Sequence, residues 1–417
     1  MTQARPRVAA ITTVWRKDSH ADVLISKLIA GYDLEGEAVQ PSVEVVSLYV
    51  EQFPENDLSR RWAARFGIPI FGSVREALTL GGDTLAVDGV VIVGEHGEYP
   101  WNESGQHLYP RRALFEQVVE VIRGTGRRVP VFNDKHFSYA WESCRWIVDT
   151  AADLGLPLMA GSSLPVTYRD PELELPLESD VQEALVLSHG PTESYGFHAL
   201  ETLQCMVERR RGGETGVASV KVLHGDEFWQ AWRDERFPRD LLDAALKVSR
   251  HQQGTPEGFF QAQATRAASY PGPQPPVAFL VTYRDGLRAT VLNLNGYVQD
   301  FTFAARLGGQ PGADAERVVA SAFRLEGAPP RWHFNYLAHH VERFMASHIA
   351  PYPVERTLLT SGTLAALMDA GQVGQAGRAL ETPHLGIRYQ PPKEPWVRSG
   401  GKSCPPERVW GFTPQEV

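Results

Sequence analysis

Three short clusters of ionisable residues carry the clearest chemistry in this chain: Glu95-His96, Asp134-Lys135-His136 and His198-x-x-Glu201. Neutral imidazole together with carboxylate is a ligand set for Zn²⁺, Mn²⁺ or Fe²⁺. His198 and Glu201, at i and i+3, share one helical face. His96, His198 and Glu201, completed by Glu95 or His136, therefore make a candidate metal site. The same groups can transfer protons without a metal. In either case Lys135 is placed to stabilise an alkoxide or enolate, with Asp134 and Glu95 as catalytic carboxylates. A helix-surface pair is the plainer reading of His198-x-x-Glu201 by itself.

Convergence depends on the elements that carry the clusters. Val8–Val14, Val43–Val50, Ile68–Phe71, Val87–Val93, Val129–Asn133 and Pro157–Ala160 have the apolar, β-branched content of strands. Helical spacing fills the gaps at 20–32, 57–66, 73–80, 111–123 and 141–154, with Gly31, Gly67, Gly124 and Gly155 as stops and Ser73 as a cap. This alternation predicts a doubly wound parallel sheet, and such sheets bind ligands beyond the carboxyl ends of their strands. Glu95-His96 and Asp134-Lys135-His136 fall at those ends. Tyr99, Trp101, Asn102 and Tyr195 border the same region as candidate substrate contacts. His20 and His107 lie near it too. The remaining histidines lack a partner motif, and His339, His340 and His348 fall on a predicted helix surface.

From about 181 the strands lengthen and follow one another without helices: 183–188, 218–224, 277–283, 287–294, 301–307 and 317–325. Asp285-Gly286 is a hairpin turn signal. An antiparallel, open-faced sheet in an α+β domain is expected, followed by helices at 334–347 and 357–370. The segment 251–276 reads as a surface loop. The expected division is a Rossmann-like domain over 1–160, an α+β substrate and oligomerisation domain over 161–390, and an extended tail over 391–417.

Composition narrows the class. With 417 residues, two to three domains are expected. The net charge of −9 gives no general attraction to nucleic acid or anionic membrane. The first apolar run is too short for a secretory segment, and no stretch is long enough to span a membrane. Three cysteines, Cys144, Cys205 and Cys404, form no CxxC pair or disulfide framework. Cys144 and Cys205 sit in apolar helical surroundings and read as packing residues. The expectation is a soluble, cytoplasmic protein.

Two segments have a family likeness. Phe132-Asn133-Asp134-Lys135-His136, followed by Gly155-Leu156-Pro157-Leu158-Met159-Ala160-Gly161, resembles the Glu-Lys-Pro strand end and its sequel in the glucose–fructose oxidoreductase/inositol dehydrogenase (Gfo/Idh/MocA) family. Ser194-Tyr195-Gly196-Phe197-His198-Ala199-Leu200-Glu201 is similar to that family's Asp-x-Gly-x-His-x-x-Asp helix. Ile349–Glu355 resembles its C-terminal segment, so the likeness spans residues 7 to 375. The resemblance implies a sugar- or polyol-like substrate and NAD(P). It also implies Lys135 as a substrate-contacting lysine, His198 as general acid/base and a homo-oligomer formed through the second sheet. Ser194, Asp134 and His136 depart from the family residues.

The turn after the first strand departs further. Dinucleotide enzymes place Gly-x-Gly-x-x-Gly there so that backbone can approach the diphosphate. Here Thr13-Val14-Trp15-Arg16-Lys17-Asp18-Ser19 contains no glycine. Thr13, Trp15, Arg16 and Ser19 are the candidate cofactor contacts, with Arg16 and Lys17 as charges and Ser19 as a helix cap. Glu51 is the nearest acid for a ribose. Two functions follow: metal-assisted or pure acid–base chemistry on a sugar, glycoside or polyol (hydrolysis, elimination or isomerisation), or an NAD(P)-dependent oxidoreductase with an atypical phosphate loop. A third, non-enzymatic sugar binding, fits the density of ionisable groups less well.

Overall fold

The computed structural model describes residues 4–252, 254–263, 275–309, 316–325, 331, 333–372 and 375–394. Most of the expected tail, with Cys404, lies outside the described residues. Six strands form the first sheet: β1 (Arg7–Val14), β2 (Glu44–Gln52), β3 (Ile70–Phe71), β4 (Gly89–Val93), β5 (Val131–Asp134) and β6 (Leu158–Gly161). Their order is β3-β2-β1-β4-β5-β6, and every neighbouring pair is parallel. The chain reverses direction across the sheet between β1 and β4, which places a ligand crevice at their carboxyl ends.

Both faces of this sheet are buried. Ala9, Ile11, Val90 and Ile92 join one apolar cluster, while Val8, Ala10, Val91 and Val93 join another. The two-residue period of a strand sends alternate side chains to opposite faces, so a strand buried on both sides must be apolar throughout. The connecting helices are α1 (Ser26–Ala30), which continues a π turn over Ala21–Ile25, then α2 (Ser59–Phe66), α3 (Val74–Thr79), α4 (Arg111–Arg123) and α5 (Trp141–Leu154). Ser73 Oγ accepts from Glu76 N–H at 3.1 Å, and Gly67 and Gly155 close their helices in left-handed geometry.

The second sheet has eight strands: β7 (Arg169–Asp170), β8 (Val181–Ser188), β9 (Val217–His224), β10 (Val277–Tyr283), β11 (Arg288–Asn293), β12 (Phe301–Leu307), β13 (Arg317–Phe323) and β14 (Leu380–Glu381). Their order is β14-β9-β10-β11-β8-β12-β13-β7. The Asp285-Gly286 turn joins β10 to β11 as expected, with Gly286 N–H donating to Tyr283 O at 3.0 Å. The sheet is mixed, because β8 and β11 pair in parallel while the other pairs are antiparallel. Helices α6 (Thr192–Val207) and α11 (Val354–Ala370) pack between the two sheets.

The far face of the second sheet carries α7 (Gly225–Arg233), α8 (Arg239–Val248) and α9 (Pro256–Gln263), which bury Phe228, Trp232, Leu241 and Phe260 against Leu185 and Leu187. Residues 256–263 are thus helix within the segment expected to be loop, and that face is not bare. Helix α10 (His333–Ser347) returns to the first sheet, where Phe334, Leu337 and Phe344 pack with Val8 and Trp15. His340 on α10 is buried, contrary to its expected place on the surface. No helix among the described residues is long and apolar enough to cross a membrane.

One buried ion pair ties α6 to α11. Arg356 Nε donates to Glu208 Oε2 at 2.8 Å, and Tyr389 Oη donates to the same oxygen at 2.8 Å. Removing one partner strands a charge without water. Arg356→Met should lower unfolding stability by about 3–5 kcal/mol in urea titration, and Arg356→Met/Glu208→Gln should recover part of the loss.

Candidate functional site

A cavity of about 560 Å³ opens at the carboxyl ends of β1 and β4, beneath α6 and the second sheet. Seven of the 13 histidines line it: His20, His96, His107, His189, His198, His251 and His333. Lys135, Glu95 and Tyr195 line it as well. Among the described residues, His96 Nε2, His189 Nε2, His198 Nδ1 and His333 Nδ1 are buried without a hydrogen-bond partner.

Burial keeps these imidazoles neutral. It pushes His96 down to about 3, against the opposing pull of Glu95, and His189 down to about 4. His333 falls to about 3 for the same reason. His198 is held well below the usual imidazole range, first by burial and then by the Lys135 charge. A neutral imidazole offers one donor and one acceptor, which matches a hydroxyl group.

The Lys135 ammonium donates to Glu95 Oε1 at 2.9 Å, and Arg111 donates to the other oxygen of that carboxylate. Burial alone would raise Glu95, but Lys135 and Arg111 outweigh it and hold the carboxyl well below its usual range. Two residues here lie in the left-handed region without being glycine: His96 at φ 69° and Lys135 at φ 62°. Such backbone is strained and persists where surrounding contacts impose it, often at functional sites. Lys135 N–H donates to Gly161 O at 3.1 Å, which helps to fix the turn. Gly190 (φ +83°) is needed beside the cavity, because a Cβ there would lie 2.3 Å from the Tyr195 ring.

The expected metal set does not assemble. No group of three or more His, Cys, Asp or Glu among the described residues is arranged to hold an ion. His96 and His198 reach the cavity, but Glu201 and His136 do not line it. Glu201 is fully buried, accepting from Thr360 Oγ1 at 2.7 Å and Ser162 N–H at 3.3 Å. Arg111 Nη1 donates to His136 Nε2 at 3.0 Å, and Glu193 Oε1 lies 3.3 Å from that same nitrogen. Both side chains are therefore committed to protein partners. Asp134 lies behind the cavity wall, in contact with His20.

The expected substrate contacts divide. Tyr195 lines the main cavity, while Trp101 lines a second cavity of about 380 Å³ beside it. Tyr99 turns away and donates to Glu51, and Asn102 is held by Gln106, with Nδ2 donating to Oε1 at 2.9 Å. Strand-end reasoning missed His189, His251 and His333. His189 follows the end of β8, the same kind of signal in the other sheet.

The loop after β1 fits a dinucleotide diphosphate poorly. Ser19 Oγ accepts from Arg16 N–H at 3.1 Å and from Asp22 N–H at 3.4 Å, so it caps the helix as expected. Asp22 Oδ2 accepts from Asp18 N–H at 2.9 Å, and Ser19 N–H donates to Arg16 O at 2.9 Å. Four loop N–H groups are thus satisfied internally, and the Asp22 carboxylate adds a negative charge to the turn that would have to hold a phosphate. Trp15 does not face the crevice. It is fully buried, stacked on Trp62 at 5.7 Å between ring centres. Leu58 N–H donates to Trp15 O at 2.8 Å, and Arg16 bridges to Asp57, so the loop after β2 clasps this turn. Thr13 is buried, donating to Glu95 O at 2.9 Å, and the Glu51 carboxylate is taken by Tyr99.

No protein-family model matches the chain, and no curated protein does. Solved structures do. GenD2 from gentamicin A biosynthesis, in complex with NAD, is 15% identical with a TM-score of 0.54, covering 92% of this chain and 97% of its own. Apo scyllo-inositol dehydrogenase from Lactobacillus casei is 11% identical with a TM-score of 0.54, covering 91% and 99%. An oxidoreductase from Agrobacterium radiobacter, in complex with NAD⁺, L-tartaric acid and magnesium, is 12% identical with a TM-score of 0.53, covering 90% and 98%. These likenesses establish a shared fold; the Lactobacillus casei protein is an inositol dehydrogenase and the Agrobacterium radiobacter protein an oxidoreductase.

Two measurements follow from this geometry. Because four of the loop N–H groups are occupied, NADH and NADPH should show no saturable fluorescence change below about 1 mM, near the weak end of enzyme–ligand affinities. Burial, opposed by Arg356, lifts the Glu201 carboxyl from the usual 4.5 to about 7. The folded chain then binds that proton more tightly than the unfolded one, so stability falls as pH rises between those values and is level above. Glu201→Gln should remove a fall of about 3 kcal/mol between pH 5 and pH 8, read as the difference in urea midpoints.

Proposed function

We propose, from the premise that the chain has the Gfo/Idh/MocA fold, that it is an enzyme moving a proton at a hydroxyl group of a sugar- or polyol-like small molecule. The observation that carries this reading is the cavity itself, where neutral imidazoles surround a buried lysine held by a buried glutamate. Its volume suits a small ligand. Imidazoles such as His198 and His96 offer paired donors and acceptors to neighbouring hydroxyls, and Tyr195 offers an aromatic face to a sugar ring. Lys135, fixed by Glu95, places its ammonium where an alkoxide or enolate oxygen develops charge. Fixed charge in a water-poor site stabilises such an oxygen far better than water does. Deprotonation of a hydroxyl beside a fixed ammonium is the step this set of groups serves, and elimination or isomerisation completes it without a nucleotide. The metal-assisted version is not carried forward, because two of its expected ligands, Glu201 and His136, are held by other partners.

A second reading, an NAD(P)-dependent oxidoreductase on the same class of substrate, is favoured by the similar structures bound to NAD. In it Lys135 and His198 bind and deprotonate the alcohol, while the cofactor, when bound, supplies hydride acceptance. The internally satisfied loop after β1 weighs against it.

The two readings separate in one experiment. A panel of sugars, glycosides and polyols is incubated with the purified protein and followed by NMR, with and without NAD(P). Turnover without nucleotide is expected, and Lys135→Met should reduce it by about 10²–10³-fold. Turnover that requires nucleotide would install the oxidoreductase reading in its place. A panel that is neither bound nor converted would sink both.

A further inference from the structure

His20 and Asp134 form a pair that no comparison assigns. His20 Nδ1 lies 2.6 Å from Asp134 Oδ2. Asp134, at the carboxyl end of β5, is fully buried, and its other oxygen has no hydrogen-bond partner among the described residues. An ionised carboxylate only accepts, so Nδ1 carries the proton and the lone pair is left on Nε2. His20 lines the cavity with 12% of its side chain accessible. The Phe334 ring meets it edge-on at 5.1 Å between centres, and His96 lies 5.4 Å away. The charged or titratable groups coupled to it are Asp134, Glu95, His96, His198 and His333.

The other cavity histidines lack this arrangement. His198 Nδ1 has no hydrogen-bond partner among the described residues, so no carboxylate fixes its tautomer. His251 does meet a carboxylate, Asp300, at 3.3 Å, but its side chain is 54% exposed and the contact is long.

We propose that His20 is the general base of this cavity, that Asp134 is its positioning residue, and that His198 serves as a neutral hydrogen-bonding group. The proposal rests on the reading that the cavity performs proton chemistry. In the step, the substrate O–H bond breaks and an Nε2–H bond forms on His20. The electron pair stays on the substrate oxygen beside the Lys135 ammonium. The resulting imidazolium keeps its Nδ1–H on Asp134, and nothing is oxidised or reduced.

The pair can be tested without a known substrate. Proton NMR of the full chain should show one strongly downfield Nδ1 proton, retained in His198→Gln and absent from His20→Gln and Asp134→Asn. Asp134→Glu should restore it in part, which separates loss of the pair from loss of the fold. Diethyl pyrocarbonate, read by mass spectrometry, should label His20 before His198, and Asp134→Asn should slow that labelling. A downfield proton that survives Asp134→Asn, or labelling of His198 ahead of His20, overturns the proposal. With a converted substrate, His20→Gln should lower kcat about 10²–10⁴-fold, whereas His198→Gln should mainly raise KM. The reverse pattern overturns the assignment. Failure to convert any sugar or polyol while the downfield proton persists sinks the functional reading instead.

Discussion

Glu95 carries a charge where there is almost no water, and the geometry of the cavity depends on how that charge is met. Burial works against the ionised carboxylate, and the Lys135 ammonium and Arg111 guanidinium overcome it. Each of these residues comes from a different element: Glu95 follows β4, Lys135 follows β5, and Arg111 opens α4. Meeting one buried charge therefore locks two strand ends and a helix start together. Arg111 extends the lock to His136, and His136 lies against Glu193 on α6. A buried charge that loses its partner is costly, so the network tolerates few alternative arrangements. The left-handed backbone at His96 and Lys135 is held within the same knot. Lysine is left with little freedom to move, which is the condition for stabilising charge at one point in space.

The crevice at β1 shows the same economy with the opposite consequence. In a dinucleotide enzyme the helix after β1 leaves its N–H groups for a phosphate. Here the turn closes on itself through Ser19 and Asp22, and the Trp15–Trp62 stack fills the space behind it. The scaffold resembles GenD2 and an inositol dehydrogenase over about nine-tenths of this chain and nearly all of theirs. A fold carries many functions, and the site decides among them. What remains open is a compact cavity rich in neutral imidazole. One histidine–aspartate pair and one lysine held by Glu95 are set into its wall.

Local pattern sufficed for much of the architecture. The strands of the first sheet and their connecting helices follow from two-residue and 3.6-residue periods, glycine stops and one serine cap, all set by neighbours within a few residues. Glu95, His96 and Lys135 could be placed at the cavity because strand ends are fixed points of a doubly wound sheet. Other features lay beyond local pattern. The parallel pairing of β8 with β11 joins segments about a hundred residues apart. Helices α7 and α8, and α9 within a proline- and glycine-rich stretch, become legible once the sheet face that they cover is known.

The amino-acid sequence by itself determined the doubly wound sheet, the strand ends that bear the ionisable clusters, and the absence of glycine at the first turn. Tertiary structure alone decided which polar side chains those ends turn inward. Glu201 and His136 carry the right chemistry for a metal, but Thr360, Ser162 and Arg111 claim them. His20, with no distinguishing neighbour in sequence, gains Asp134 from 114 residues away. His189, His251 and His333 enter the cavity from β8, a loop and α10. The physical reason is that hydrophobic periodicity is local to the chain. The direction of a buried polar group is set by whichever partner satisfies it, and that partner is chosen by packing across the whole fold.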